Sequence, residues 1–328
     1  MTRPDAKDTV RVGAIDVGSN SIRLLVADLP GNGGSGLMTI ARAGEPCRLG
    51  RGLERTGVVE EPLAERAASL VAEFARRARS LGATHFIVGA TAALRSAANG
   101  TAVAGQIAER SGLPVRILSG EEEARLVYES VVLGLGAPAR RSSCVVFDLG
   151  GGSTEVVSGL GERAGRWVSL PFGAVSLTER FVHLSPADPA EVRSLEEHVS
   201  AEIAARCAEM PESTPVLAGV GGTVTAFAVL DLELPVYEPS RVEGWNIPME
   251  RLELVVNRLV GSTEAERRKL TVLGKGRADI MVAGALAVRL LARRFAARGL
   301  ICSTQGLRYG LARLAIREAA ADAGDVGG

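Results

Sequence analysis

Two short loops carry the chemistry of this sequence. Asp16-Val-Gly18-Ser19-Asn20-Ser21 follows the apolar run Val12–Ile15, and Asp148-Leu-Gly150-Gly151-Gly152-Ser153-Thr154 follows Cys144–Phe147. Glycine and small hydroxyl residues let several backbone N–H groups converge on one point without Cβ interference, which is what a phosphate needs. An acid at the end of the preceding strand is placed to hold a hydrated divalent cation beside that phosphate. A single Asp before Gly-x-x-Ser reads equally well as an ordinary turn. Two copies, with aspartates 132 residues apart and each directly after an apolar strand, favour the cradle and suggest a duplicated half. No G-x-x-x-x-G-K-[ST] string occurs, and a strand rather than a helix follows each loop, so neither a Walker nor a Rossmann loop is present.

Three further segments bear charge or phosphate chemistry. Ser119-Gly-Glu121-Glu122-Glu123-Ala-Arg125 puts three acids at a helix start, where complementing the helix dipole is the plain explanation and general-base work the functional one. Arg95, in Ala90-Thr-Ala-Ala-Leu-Arg95, is either a helix-face cation or a phosphate ligand. Gly219-Val-Gly221-Gly222-Thr223 is a tight turn between strand and helix that either packs or receives a nucleotide or phosphate.

The elements that must position these residues alternate between strand and helix, which predicts an α/β chain. Val12–Asp16 and Ile22–Asp28 read as a hairpin, Leu29–Gly36 as a flexible turn and Leu37–Ala43 as a third strand. Leu63, Ala67, Leu70, Val71, Phe74 and Ala78 fall at helical spacing within Glu60–Leu81. His85–Ala90 and Val115–Leu118 follow as strands, with helices at Ala102–Ser111 and Glu121–Leu133. A Gly/Pro-rich pause at Gly134–Ser143 sets the expected boundary, giving domains 1–133 and 134–304, with a C-terminal helix near 305–322 able to pack back on the first. Within the second, strands are expected at Cys144–Asp148, Glu155–Val157, Arg166–Leu170, Val216–Ala218 and Leu300–Cys302. Helices are expected at Leu177–Phe181, Pro189–Ala208, Glu250–Leu259, Glu264–Thr271 and Ala278–Ala297, with a fraying tail.

Composition bounds the answer further. The 328 residues carry 38 basic and 38 acidic side chains, with 46% hydrophobic residues, which excludes a disordered polyanion or a basic nucleic-acid coat. Only three of the basic residues are lysines, a skew that suits bidentate phosphate recognition. Cys47, Cys144, Cys207 and Cys302 form no C-x-x-C pair, and His85, His183 and His198 are isolated. A zinc ribbon, a disulfide framework and a Ser-His-Asp triad are thereby disfavoured, and a reducing, cytoplasmic setting is expected. No apolar stretch of about 18 residues suggests a membrane partner.

Taken in order, Ala14–Ser21, Ala90–Arg95, Ser119–Arg125, Phe147-Asp-Leu-Gly-Gly-Gly-Ser-Thr-Glu155 and Ser169-Leu-Pro-Phe-Gly-Ala174 resemble the exopolyphosphatase / guanosine pentaphosphate phosphohydrolase family, within the superfamily of sugar kinases, actin and chaperone ATPases. Arg277–Gly284 and Ser303–Gly310 are similar as well, and the length matches the family's short, two-domain form. The resemblance implies two actin-like (ribonuclease H-like) domains with mixed sheets flanked by helices and an interdomain cleft. It further implies Mg²⁺- or Mn²⁺-assisted hydrolysis of the terminal phosphoanhydride of inorganic polyphosphate, short chains preferred. Guanosine pentaphosphate, and with it the stringent response, enters as a second substrate.

Roles carry over residue by residue. Glu123 and Glu155 are the implied catalytic carboxylates, Glu123 as general base. Asp16, Asp148 and Glu155 are the implied metal ligands. Gly18, Ser19, Asn20, Ser21, Arg95, Gly150, Gly151, Gly152, Ser153, Thr154, Gly221, Gly222 and Thr223 bind phosphate. Arg48, Arg51, Arg55, Arg140 and Arg141 are candidates for a basic track under the chain. A homodimer is expected, with Ile280–Leu291 read either as a dimer face or as core. The competing readings are an ATP-dependent sugar or acid kinase of the same fold, which Glu155 directly after the second loop disfavours, and a non-catalytic polyphosphate or nucleotide sensor or filament.

Overall fold

The computed structural model describes residues 10–29, 36–270 and 277–325. The glycine-rich stretch expected as a turn at 30–35 and the end of the expected tail, 326–328, lie outside them. The apolar runs become strands β1 (Val10–Val17), β2 (Ser21–Leu29), β3 (Met38–Pro46), β4 (His85–Ala90), β5 (Val115–Ile117), β6 (Ser143–Leu149), β7 (Thr154–Leu160), β8 (Arg163–Leu170), β9 (Val216–Val220), β10 (Trp245–Pro248) and β11 (Gly299–Cys302).

They form two sheets, one in each of two compact units. The first unit runs to Ser119 and regains the chain at Leu307; the second is Gly120–Gly306. Sheet order is β3-β2-β1-β4-β5 in the first and β10-β11-β9-β6-β7-β8 in the second. In each, a three-stranded antiparallel meander continues into parallel strands. β6, β7, β8, β9 and β11 thus repeat the order and directions of β1, β2, β3, β4 and β5. This is the mixed-sheet, helix-flanked architecture that the resemblance implied, occurring once in each unit.

Helices cover both faces of β1. Glu61–Ser80 starts with Pro62 in its first turn and buries a stripe of Ala64, Ala67, Ala68, Val71, Phe74, Ala75 and Ala78, whose small side chains let the helix lie close to the sheet. Ala78 lies against Gly13 on one face of the sheet, and Leu311 of the helix Leu307–Asp325 lies against Gly89 on the face that Asp16 shares.

The boundary differs from the expected one. The helix Gly120–Leu135 packs on β6, β7 and β8, with Ala124, Val127, Tyr128 and Val131 buried. The Tyr128 hydroxyl donates to the Gly161 carbonyl at 2.9 Å. The Gly/Pro pause after it is therefore a short helix-to-strand turn inside the second unit, and the units part between Ser119 and Gly120. The helix Met281–Arg294 is buried from Met281 through Val288, Gly284 included, and is packed by the helices Ala174–Phe181, Pro189–Arg206 and Met249–Val260. The apolar run at Ile280–Leu291 is core, not a dimer face. Among the described residues no helix is long and apolar enough to cross a membrane.

All four cysteines are unpaired and buried. Burial pushes the Cys47 and Cys144 thiols up to about 11 and raises Cys207 and Cys302 as well. Since the thiolate is the reactive form, a disulfide reagent at pH 8 should find less than one fast-reacting thiol in the native protein and all four after denaturation in guanidinium. A rapidly titrating native thiol would contradict this packing.

Candidate active site

The two loops are built on one plan. Each is a hairpin tip with the same closing bond, Gly18 N–H to Ser21 O at 3.2 Å in the first and Gly150 N–H to Ser153 O at 3.0 Å in the second. In each, the segment after the third strand of the meander returns to bind the tip's carbonyls. The Ser19 carbonyl accepts from Gly50 N at 2.8 Å, and the Asn20 carbonyl accepts from Cys47 N at 3.0 Å and Arg48 N at 2.9 Å. The Gly150 carbonyl accepts from Ala174 N at 2.9 Å, and the Gly151 carbonyl from Val175 N at 2.8 Å and Ser176 N at 3.1 Å. In a trans peptide the C=O and the next N–H point in opposite directions. The N–H groups of Asn20 and Ser21, and of Gly151 and Gly152, are therefore aimed away from these straps, and their dipoles make two anion-seeking concavities. Gly173 permits the close approach of the second strap, where any Cβ would collide with the Gly151 carbonyl carbon.

The frames then diverge in chemistry. In the first unit Asp16 stands in register with Arg23 on β2 and Gly89 on β4. Its buried carboxylate has an Arg23 nitrogen 3.9 Å away. Burial pushes the Asp16 carboxyl above the ordinary carboxylate range, while Arg23 and then Arg308, from the first turn of the last helix, pull it back. Arg95 donates to the Leu118 carbonyl at 3.0 Å, fixing its guanidinium at the end of β5.

In the second unit the same row reads Ser169 on β8, Glu155 on β7, Asp148 on β6 and Val220 on β9. Where the first unit sets an arginine against its aspartate, the second sets a glutamate. Asp148 is half-buried and Glu155 buried. Ser169 donates to Glu155 Oε1 at 3.0 Å. At the start of the helix Gly120–Leu135, the space a Cβ would fill at Gly120 ends at the Trp167 ring, 3.3 Å away, and at Ser169 Cβ, 3.9 Å away. The helix start thus seats against the residue that holds Glu155. Of its three acids Glu121 is exposed, Glu122 half-buried and Glu123 buried. Dipole complementation accounts for the exposed acid and not for the buried one.

Gly221, Gly222 and Thr223 lie at the end of β9, beside Asp148. A Cβ on Gly221 would come within 3.5 Å of Asp148 Oδ1, and one on Gly222 would fall on the Arg277 guanidinium. The structure thus gathers Asp148, Gly150–Thr154, Glu155 and Gly221–Thr223 in the second unit and Asp16, Gly18–Ser21 and Arg95 in the first. Arg140 pairs with Glu162 at 2.6 Å, outside either loop. Residue reading missed Arg23, Ser169, Arg277, Arg308 and both straps. Arg23 follows Asp16 by the same seven positions that separate Glu155 from Asp148, a spacing that could have revealed it.

Two carboxylates in register on adjacent strands repel unless a cation or proton lies near them. That donor set fits a divalent ion at Asp148 and Glu155. Among the described residues no group of three or more His, Cys, Asp or Glu side chains could hold a metal by itself, so further ligands would come from water or a bound phosphate. At Asp16 the two arginines already oppose the carboxylate's charge.

Gly221 adopts φ of 107°, and a Cβ there would lie 2.7 Å from the Leu149 carbonyl. Gly221→Ala should cost about 1–3 kcal/mol in denaturant unfolding. Gly105→Ala, at an exposed helical glycine with open space around it, should instead stabilise by about 0.5–1 kcal/mol. Equal effects would refute the strain at Gly221.

Known proteins resemble this chain over most of its length. Residues 28–315 match the model of the Ppx/GppA phosphatase family. Exopolyphosphatase 2 of Mycobacterium tuberculosis is 32% identical over 295 residues, covering 88% of this chain and 92% of that one. Exopolyphosphatase 1 of Mycobacterium bovis is 30% identical over 304 residues, covering 92% and 87%. The crystal structure of the Aquifex aeolicus Ppx/GppA family member, 28% identical, superposes with a TM-score of 0.80 and covers 94% of this chain and 99% of that one. With a family match across most of its length and relatives at least 30% identical over most of both chains, this chain belongs to the Ppx/GppA phosphatase family.

Proposed function

We propose that this protein is an exopolyphosphatase, removing the terminal phosphate of inorganic polyphosphate by attack of water. One observation carries the reading: Asp148 and Glu155 stand opposite each other beside a loop whose carbonyls are tied away, so an anion cradle and a pair of carboxylate oxygen donors share one strand end. The names of the mycobacterial relatives support it. Four unpaired cysteines are in keeping with a cytoplasmic setting.

Asp148 and Glu155 would hold Mg²⁺ or Mn²⁺, with Asp16 serving chiefly to orient Arg23. When bound, the ion supplies charge neutralisation at the phosphoryl oxygens. The N–H groups of Gly151 and Gly152 and the hydroxyls of Ser153 and Thr154 receive the oxygens of the phosphoryl group under attack. Glu123 takes the proton of the attacking water as general base. Glu155, its rotation fixed by Ser169, orients that water. The leaving group is itself a phosphate, a weak base, so no strong general acid is needed and positioning supplies most of the acceleration. In the first unit Gly18–Ser21, Arg23 and Arg95 bind phosphate. Guanosine pentaphosphate, which ends in the same anhydride, is the second substrate of this reading.

Purified protein with Mg²⁺, offered polyphosphate, guanosine pentaphosphate and ATP in parallel, tests the reading by phosphate release. Glu123→Gln and Glu155→Gln should each reduce release by about 10²–10⁴-fold with melting nearly unchanged; near wild-type turnover in either removes its role. Chelation should abolish release while leaving the melting midpoint of substrate-free protein nearly unchanged, because among the described residues no closed protein cage depends on the ion. A large drop in that midpoint would instead mark a structural metal.

A further inference from the structure

Among the described residues three non-glycine residues have positive φ: Arg48 at 59°, Glu233 at 51° and Ala296 at 42°. Two have an ordinary cause. Glu233 follows the cap residue Leu232 of the helix Gly222–Asp231, and Ala296 follows the cap residue Phe295 of the helix Met281–Arg294. A left-handed residue just past a helix end is a common exit. Arg48 follows β3, with no helix before it.

Its backbone is required in this form. With Arg48 left-handed, Cys47 N–H and Arg48 N–H both reach the Asn20 carbonyl, locking the first loop. Glycine would meet that requirement without the steric cost that a Cβ brings. The second unit builds the corresponding strap from Gly173, Ala174, Val175 and Ser176, and puts no cation there. A long cationic side chain on the first strap alone, held in a conformation that disfavours it, is therefore retained for what its guanidinium does. Strain of this kind gathers at ligand sites, and the inference runs from outlier to function.

We propose that Arg48 is a specificity-determining residue, whose guanidinium forks onto the phosphate next along the chain from the one held by the N–H groups of Asn20 and Ser21. The proposal rests on the exopolyphosphatase reading. Its backbone is one hydrogen bond from Asn20, so a side chain of this length reaches past the two-residue tip. A planar guanidinium matches phosphate oxygens two at a time, and a linear phosphate chain offers such oxygens at every unit.

The test compares Arg48→Gly, Arg48→Asn and Arg48→Lys with wild type on tripolyphosphate. Arg48→Gly should raise the melting midpoint, because strain is relieved, yet raise KM about 10- to 100-fold, the range of a lost charge-assisted contact. Its kcat should stay within about threefold, since binding remote from the reacting phosphorus is lost equally from ground and transition states. The dependence of kcat/KM on salt should flatten, by analogy with counterion release. Arg48→Asn, the residue type that best tolerates this conformation after glycine, should repeat the KM effect should the glycine variant fold poorly. Arg48→Lys should recover part of the KM and none of the midpoint gain. Unchanged KM in the glycine and asparagine variants, or a lowered midpoint in Arg48→Gly, overturns the proposal. Calorimetric binding of tripolyphosphate separates the two ideas. If wild-type protein binds it without releasing phosphate, the hydrolase reading fails while weaker binding by Arg48→Gly upholds Arg48; equal binding by both proteins removes it.

Discussion

A trans peptide cannot show its oxygen and the following N–H on the same side, and both loops of this molecule are organised around that constraint. Serine, asparagine and glycine at a hairpin tip are permissive of many conformations, so composition alone leaves the tip's dipoles undetermined. Three backbone donors from the strap after each meander remove the choice. Once Gly50, Cys47 and Arg48 occupy the carbonyls of Ser19 and Asn20, and Ala174, Val175 and Ser176 those of Gly150 and Gly151, the opposite faces carry N–H groups only. An electropositive concavity results with few cationic side chains spent on it. Its accuracy depends on strands, because each strap begins where a third strand ends.

Two copies of this frame need not do the same work, and one in-register position separates them. Seven residues after the aspartate, the first unit has Arg23 and the second has Glu155. Acid facing guanidinium is a balanced pair, whose buried carboxylate is held by its partners. Acid facing acid places carboxylate oxygens in register, the donors that a divalent ion takes. The duplicated backbone therefore carries an acid–guanidinium pair in one unit and an acid–acid pair in the other, without any change of topology.

Much of this was legible because apolar runs broken by Gly/Ser turns are strong marks of strands and hairpins, and because helices such as Glu61–Ser80 bury a periodic stripe. The boundary was not. An amphipathic helix announces that it has a buried face, and the face of Gly120–Leu135 does not name the sheet that will cover it. β10, at Trp245–Pro248, escaped because four residues with asparagine and proline among them carry no alternation. The straps escaped for a deeper reason. Their partners are backbone carbonyls, which every residue type possesses, so Cys47-Arg48-Leu49-Gly50 bears no compositional mark of what it holds. Helical phase, by contrast, contained more than was drawn from it: Glu123 lies four residues before the buried Val127, on the face that Glu121 does not share.

Helical phase and strand register together fix two buried carboxylates carried by separate elements. Glu155 is fixed by its strand register and by Ser169. Glu123 is fixed by a helix whose first residue, Gly120, rests against the same Ser169 and its neighbour Trp167. The serine thus lies near both, hydrogen-bonded to Glu155 and within 3.9 Å of where a Cβ on Gly120 would stand. A Cβ at Gly120 would stand 3.3 Å from the Trp167 ring, so even alanine there asks the ring on β8 to give by a few tenths of an ångström. The smallness of one residue at a helix start thus bears on where Glu123 lies relative to Glu155, although one of these two buried acids enters from the first turn of a helix.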